Sequence, residues 1–417
     1  MKKVHESEIG QVLILLTFGI ITLLGFTALA IDGGRVYSER RHAQGIADTS
    51  SLTGALYIAQ QKGAITSSIL DSAKNSAIFR ANSNGYSSDG QTTVDVSITR
   101  KGSYYFVRTE IHSAVDPVIA QIVYDGPLNV KVVSVARVFK LPTSSTGHAL
   151  YAMNKTKKNA LWFTGNGEIM VFGSGIYSNS NDPNYSITFA GSSSTTIEDL
   201  ANAVGGINVA GTVLNTDGTT FTGYNSGVEQ SDNPLIPTPD CSGLGPGVKS
   251  QSGSVVNFTP GTYGGISENG HNTYHFEPGM YCIDGVFTTK NGVFEGNNVF
   301  FYVRNGDVSL AGDVQFYAST TNGVVKDNSG ENWNGMLLYL GLGSLTINGN
   351  SNSDYRGTVY VPTPANPSCK LNGTSDSEGF AMQLMCDTIR INGDGKLLIN
   401  YNEEYVYVPP VVIDLDQ

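Results

Sequence analysis

The stretch "ENGHNTYHFE", Glu268 to Glu277, places two histidines four residues apart with a carboxylate at each end. On a helix, His271 and His275 would share a face and could hold a metal ion between them. The surrounding residues read instead as turn and strand, where positions i and i+4 stand about 13 Å apart. The expectation is therefore a turn histidine and a strand histidine, with no metal. Oxygen donors recur at Asn350, Asn352 and Asp354, and again at Asp376 and Glu378. Calcium takes such donors, but the glycine and the distal glutamate of an EF-hand loop are absent. Asp284, Glu295, Asp307 and Asp313 are carboxylates of the kind a glycosidase sets in a cleft. No spacing selects a pair among them, and no Arg or Lys cluster accompanies them. A phosphate-cradling P-loop, a G-x-S-x-G elbow and a Cys–His signature are also absent. The expectation is a chain with no catalytic residue, no cofactor and no enzymatic activity.

The four cysteines, Cys241, Cys282, Cys369 and Cys386, form no C-x-x-C pair, which disfavours a zinc knuckle or a redox motif. An even count confined to the distal half fits one or two disulfides in an oxidising compartment. Cys241–Cys282 with Cys369–Cys386 is one of three pairings open to them, and buried free thiols are the alternative. Each such loop would stabilise by about 3–4 kcal/mol in the chain-entropy model. A net charge of -11 and a pI near 5.0 exclude nucleic acid as the main partner, since a polyanion needs a clustered cationic footprint.

The elements that must carry these residues begin with an apolar run. The 20 residues from Val12 to Ile31 contain no charge, and as a helix they span about 30 Å, the hydrocarbon thickness of a bilayer. Thr17, Thr22 and Thr27 are tolerable there because a hydroxyl bonds back to a helix carbonyl. Asp32 marks the water-facing edge of the span. Ala28-Leu29-Ala30 has the small-x-small form of a signal-peptidase site, and Lys2 and Lys3 supply a positive start. The run is longer than a signal-peptide core, and Glu6 and Glu8 precede it, so a retained single-pass anchor is expected. Arg35, Arg40 and Arg41 follow the span, so charge alone does not favour export of the bulk. Export is argued from the cysteines and the distal half.

Beyond the anchor, Ala43–Gln60 and Ile65–Ala81 read as helices. "TVDVSI" (Thr93–Ile98), "YYFVRTEI" (Tyr104–Ile111) and "NVKVVSVARV" (Asn129–Val138) alternate as strands, with a short helix over Val115–Val123. Residues 141–159 lack periodicity and read as a linker, its lysines a solvated cluster. From Ala160 onward a template recurs: "SLAGDVQF", "TINGNSNS", "KLNGTSDS" and "RINGDGKL", with glycines at 312, 349, 373 and 393. Pro-Gly-x-Tyr occurs at Pro260–Tyr263 and Pro278–Tyr281. Each unit is a short strand ended by a glycine turn, and none buries its apolar face alone. Stacked coils of about 20–25 residues do so in a right-handed parallel β-helix or solenoid, with Asn ladders between rungs. A β-sandwich is the alternative fold.

The amino-terminal pattern resembles a known family. Gly10-Gln11 opens the span; Asp32, Gly34 and Arg35 give Asp-x-Gly-Arg; Gln44 and Ala47-Asp48 precede a Gly-Ala. Together these are similar to the opening segment of TadE/TadG-like proteins of tight-adherence (Flp) pilus assembly, over about 50 residues; Thr49 to Ser51 depart from the alanine usual there. The resemblance implies a cell-membrane anchor with the bulk extracytoplasmic, no enzymatic activity, and as partners the lipid bilayer and other pilus-assembly proteins. The stretch from Pro278 to Gly312, with Leu345–Pro362 and Asp387–Tyr401, similarly resembles the β-helical distal domain found behind such anchors. Leu15 stands where a type IV prepilin would carry its glutamate if Gly10 were the processing site, so prepilin processing is not expected. The resulting organisation is a cytoplasmic segment (1–11), a transmembrane helix (12–31), a membrane-proximal α+β region of pilin-like outline (32–140), a linker (141–159) and the β-helix-like domain (160–417). The expected function is structural, in pilus assembly or surface adhesion, with surface polysaccharide as a further partner. The alternative is a tethered carbohydrate-binding or carbohydrate-active β-helix.

Overall fold

One helix, α1, runs unbroken from Ile9 to Gln60. In this computed structural model the described residues are 9–61, 65–101, 104–122, 124–139, 147–234, 236–320, 325–365, 368–375, 378–408 and 413–415. They fall into two units, Met1–Lys140 with Val411–Gln417, and Leu141–Pro410. The sequence reading treats α1 as two segments. They are continuous because residues 32–42 hold no strong breaker; Gly33 and Gly34 each cost only about 1 kcal/mol in a helix.

The two halves of α1 meet different surroundings. Large apolar side chains between Val12 and Ile31 are exposed, Leu15 and Leu29 at 72%. Thr17, Thr22 and Thr27 donate to the carbonyls of Leu13, Phe18 and Leu23 at 2.7–2.8 Å, which satisfies their hydroxyls. The helix is long and apolar enough to cross a membrane, with a mean hydropathy of 2.5 in its richest window. Further along, Ala43, Ala47, Ser51, Ala55 and Ile58 are fully buried at helical spacing. Helix α2 (Ser67–Asn82), capped by the Thr66 hydroxyl accepting from the Ile69 N–H, adds Ala73, Ala77 and Ala81 to the same cores. The small residues allow close approach: a Cβ on Gly54 would stand 2.9 Å from Val107 Cγ1.

Three antiparallel strands receive this face: β1 (Thr92–Lys101), β2 (Tyr104–Val115) and β3 (Leu128–Phe139). Their alternation puts Val107 and Ile111 of β2 and Val130, Val132, Ala136 and Val138 of β3 into the cores with the helices. The helix expected over Val115–Val123 is reduced to one 3-10 turn, Ala120–Ile122, because Val115 ends β2. A second correction concerns the carboxyl end. Ile413–Leu415, read above as part of the distal domain, pairs antiparallel with β3, Val138 opposite Ile413 and Ala136 opposite Leu415.

The second unit is built of short strands in parallel ladders. One nine-stranded sheet aligns Ile187, Leu161, Ile389, Cys369, Leu345, Val308, Phe287 and Ile266 as a single buried row, which the half-buried Ile207 extends at one end. Stacked rings follow the register, as in Phe163 on Phe189, Phe258 on Phe276 and Tyr274 on Phe294, with centroids 4.5–4.8 Å apart. A β-sandwich requires antiparallel sheets, whereas the only antiparallel strand pair among the described residues of this unit is Lys249–Ser252 with Val255–Phe258. Leu150–Ala152, placed in the linker by the sequence reading, is already a strand of this unit.

Spatial order departs from chain order. Leu150–Ala152 lies between Ala381–Cys386 and Ile176–Ser178, so an early strand pairs with a late one. From there the chain advances through Ala201–Ala203 to Tyr224–Ser226 at one end of the sheet. The chain after Ser226 then returns to the far end at Lys249, and a second run climbs back from Val255 through Thr273, Val293 and Asp313. The return crosses ten strand spacings of about 4.8 Å, roughly 48 Å, which about 20 extended residues cover with slack. This strap is held on the outside of the sheet. Val228, Ile236, Cys241 and Leu244 pack on an aromatic seam that includes Tyr151, Tyr177, Tyr302 and Trp333. Asn179 Nδ2 donates to Ser231 O at 2.8 Å, the Asp240 N–H to Asp327 Oδ2 at 3.0 Å, and a disulfide joins Cys241 to Cys282.

The recurring glycines have two physical causes. Gly312 and Gly373 hold φ of +100° and +90°. Gly349 and Gly393 do not; there the neighbouring chain leaves no room, a Cβ on Gly349 standing 2.3 Å from Thr374 O. Both tyrosines of Pro-Gly-x-Tyr donate to the carbonyl four residues back, Tyr263 to Thr259 at 2.6 Å and Tyr281 to Glu277 at 2.7 Å. Asn ladders join rungs at Asn372–Asn348 and Asn291–Asn269, 2.8 and 2.9 Å. Gly373→Ala should therefore destabilise by about 2 kcal/mol or more, since its Cβ would lie 2.1 Å from Gly349 O. Gly253→Ala, with positive φ but open space, should cost about 1 kcal/mol. Thermal melts of the two variants that coincide would contradict this reading of the ladder.

Candidate functional site

Two residues of the amino-terminal motif lie on one face of α1. Asp32, Arg35, Glu39 and His42 follow at spacings of three and four, so they line the same stripe. Asp32, expected to face water at the edge of the span, is instead 3% exposed. Its carboxylate accepts from three successive backbone N–H groups, Val118 at 2.7 Å, Ile119 at 3.0 Å and Ala120 at 2.7 Å. Arg35 Nη1 donates to Asp116 O at 2.7 Å. The two side chains thus clamp the loop after β2 at Asp116 and at Val118 to Ala120. The donors into Asp32, Ala120 foremost, hold its carboxyl below the ordinary 3.8. The linkage sign follows: the clamp contributes fully above the carboxyl's unfolded pKa and is lost as pH falls through the folded one.

Farther along the stripe, Glu39 accepts from Tyr86 Oη at 2.8 Å and Ser113 Oγ at 2.7 Å, and His42 Nδ1 lies 3.0 Å from Tyr86 Oη. Burial, reinforced by Glu39, pushes the Tyr86 phenol well above its usual range, so it stays a donor. Gln44 donates to Asp48 Oδ1 at 2.8 Å and to Val133 O at 3.2 Å, while Ala47 is fully buried against the sheet. Ser51 Oγ meets Ser134 Oγ at 2.9 Å. Asp32 and Arg35 therefore fasten α1 to the loop after β2, Gln44 and Ala47 fasten it to the sheet, and Asp48 holds the Gln44 amide within the helix. Gly34 has nothing near a Cβ position, and no contact accounts for it. Gly10 and Gln11 lie in the first turns of α1, and their side chains fall outside the described residues. The sequence reading missed Glu39, His42, Tyr86 and Ser113. The i, i+3, i+7, i+10 spacing from Asp32 was the available signal.

Other candidate residues do not converge. Glu268 pairs with Lys249, and His275 sits in a strand opposite Asn257 and Glu295. Asn350 and Asn352 donate their amides to Asp313 at 2.8 and 3.1 Å, and Asp354 receives Arg356. Asp284 pairs with Arg304, and Asp307 Oδ1 accepts from the N–H and hydroxyl of Ser344. Among the described residues no three His, Cys, Asp or Glu side chains gather as a metal site; Asp376 lies outside them. Glu378 lines a cavity of about 540 Å³ with Arg356, Tyr401, Glu403, Glu404 and Tyr405. Cys369 and Cys386 form a second disulfide.

Comparison with known proteins bears on the first of these sites. Residues 10–60 match the family model described as putative Flp pilus-assembly TadE/G-like, so the chain carries a TadE/G-like domain at its amino-terminal end. That match coincides with α1. A crystal structure of the competence-associated pilin ComZ from Thermus thermophilus aligns over 79% of this chain and 86% of its own, at 10% identity and a TM-score of 0.19, and carries no argument here. No curated protein matches the chain.

Two outcomes test the site. Asp32→Ala should speed hydrogen exchange at the Val118, Ile119 and Ala120 amides about tenfold or more relative to Ser97, in the middle of β1; unchanged protection would contradict the clamp. On the outer face of β2, Lys131, His112 and Arg108 hold the Glu110 carboxyl down at about 2. Lys131→Met should move that carboxyl's NMR midpoint up towards 4.5, and no movement would contradict the assignment.

Proposed function

We propose that this protein is a single-pass membrane component of a tight-adherence (Flp) pilus-assembly or surface-adhesion system. In this reading, the span Val12–Ile31 sits in the cell membrane and both units lie outside the cytoplasm. The observation that carries it is α1 itself. Its family-matched residues divide at Asp32 into an exposed apolar half and a half fastened to a folded α+β unit. An exposed 20-residue apolar helix is stable in hydrocarbon and costly in water. The disulfides support an oxidising compartment for the distal unit.

The distal unit is read as a parallel β-helix, supported by in-register parallel ladders with strands recurring every 18 to 20 residues along Val255, Thr273, Val293 and Asp313. Its role is structural, projecting a rigid surface, with other pilus-assembly proteins as partners of α1 in the membrane. Nothing in the disposition of its carboxylates favours catalysis: Asp284, Asp307 and Asp313 each serve an ion pair or a hydrogen bond within the coil.

Deleting the gene should abolish or sharply reduce surface pili and attachment, with restoration by the wild-type chain. Normal piliation and normal attachment in the deletion strain would overturn the proposal.

A further inference from the structure

The outer face of the nine-stranded sheet carries a row of side chains in register. Ser267, Thr288, Ser309, Thr346, Lys370, Arg390 and Trp162 follow one another, one per strand. They alternate with the buried row, so they point outward. Five of the seven are neutral hydroxyl or aromatic residues, and the two cations stand directly opposite each other. Like charges in that arrangement repel. Arg390 lies over the Trp162 ring, its Cζ 4.4 Å from the centroid. Neither Lys370 nor Arg390 has a carboxylate within ion-pair distance among the described residues, although the chain as a whole carries a net charge of -11.

The surroundings add hydrogen-bonding capacity. Asn348, Asn372 and Asn392 form a second row on the same face, two residues along each strand. Three buried polar atoms on this patch have no hydrogen-bond partner among the described residues: Trp162 Nε1, Arg390 Nε and Asn372 Oδ1. Unsatisfied groups of this kind call for a reason. An isolated cation pair calls for an anion, and a planar guanidinium beside an ammonium matches a carboxylate. Flanking Ser, Thr and Asn side chains match hydroxyl groups. The strand spacing of about 4.8 Å is close to the length of one pyranose ring, so a sugar chain laid along the row would meet one rung per residue.

We propose that this row binds an acidic polysaccharide, with Lys370 and Arg390 receiving a uronate carboxylate and the Ser/Thr/Asn rows its neighbours' hydroxyls. The inference goes beyond the pilus-assembly reading and does not rest on it.

The test is calorimetric titration of the full chain in detergent micelles with oligogalacturonate, beside neutral dextran and glycerophosphoglycerol, the water-soluble headgroup of phosphatidylglycerol. Saturable oligogalacturonate binding that weakens with salt is expected, with dextran and the headgroup weaker. Lys370→Ala with Arg390→Ala should weaken it about tenfold or more, as two charge-assisted contacts are lost, with the melting temperature retained. Should the double variant fold poorly, Lys370→Gln alone should still weaken binding about threefold or more. Absence of saturable binding, equal binding of dextran, or equal affinity in folded variants would overturn the proposal. Headgroup binding that matches oligogalacturonate and falls with the same variants would overturn it in favour of a lipid headgroup.

Discussion

The Asp32 carboxylate accepts three successive backbone N–H groups at the point where α1 changes from exposed apolar helix to buried amphipathic helix. In the first unit, the tie between helix and loop depends on this contact being made there. A carboxylate one turn earlier would sit in the apolar run, and one turn later it would miss the loop that begins at Asp116. Together with Arg35 it holds the loop between β2 and β3, so the sheet is tied to the helix at its base. Glu39, Gln44 and Ser51 then continue the same stripe along the strands.

The distal unit is governed by a different constraint, close approach between neighbouring segments of chain. Glycine occupies the recurring template position because a backbone carbonyl stands within 2.8 Å of the place a Cβ would take at Gly312, Gly349 and Gly373, and the Ile169 side chain stands there at Gly393. Positive φ is a second reason at only two of these. Outside the ladder, the strap between Tyr224–Ser226 and Lys249–Ser252 covers an aromatic seam and is pinned at Cys282. The two runs of strands meet at Leu150 and Leu384, so the sheet closes on residues far apart in sequence.

Legibility in the sequence followed the range of the interaction. The uncharged run, the alternation in β1, β2 and β3, and the glycine template are local patterns, and each was readable residue by residue. Asp32 was read as a water-facing boundary because its partners, Val118 to Ala120, lie 86 to 88 residues away. The pairing of Leu150 with Leu384 was illegible for the same reason: a repeat says that coils stack, not in which order. Ile413–Leu415 is only three residues long, too short for periodicity to assign it to β3. Among the candidate chemical groups, spacing singled out neither a metal pair nor a carboxylate cleft, but it could not name the partners that use Glu268, Asp284, Asp313 and Asp354, most of which lie 19 to 39 residues away.

The central claim is that α1 is one helix whose apolar half lies in lipid and ends at Asp32. Site-directed spin labels at Leu16, Leu23, Leu29 and Tyr37, with the protein in bilayers, test it most directly through collision with oxygen and with a water-soluble nickel complex. The account predicts oxygen-dominated relaxation at Leu16, Leu23 and Leu29 and nickel-dominated relaxation at Tyr37. Nickel access at Leu23 equal to that at Tyr37 would contradict it.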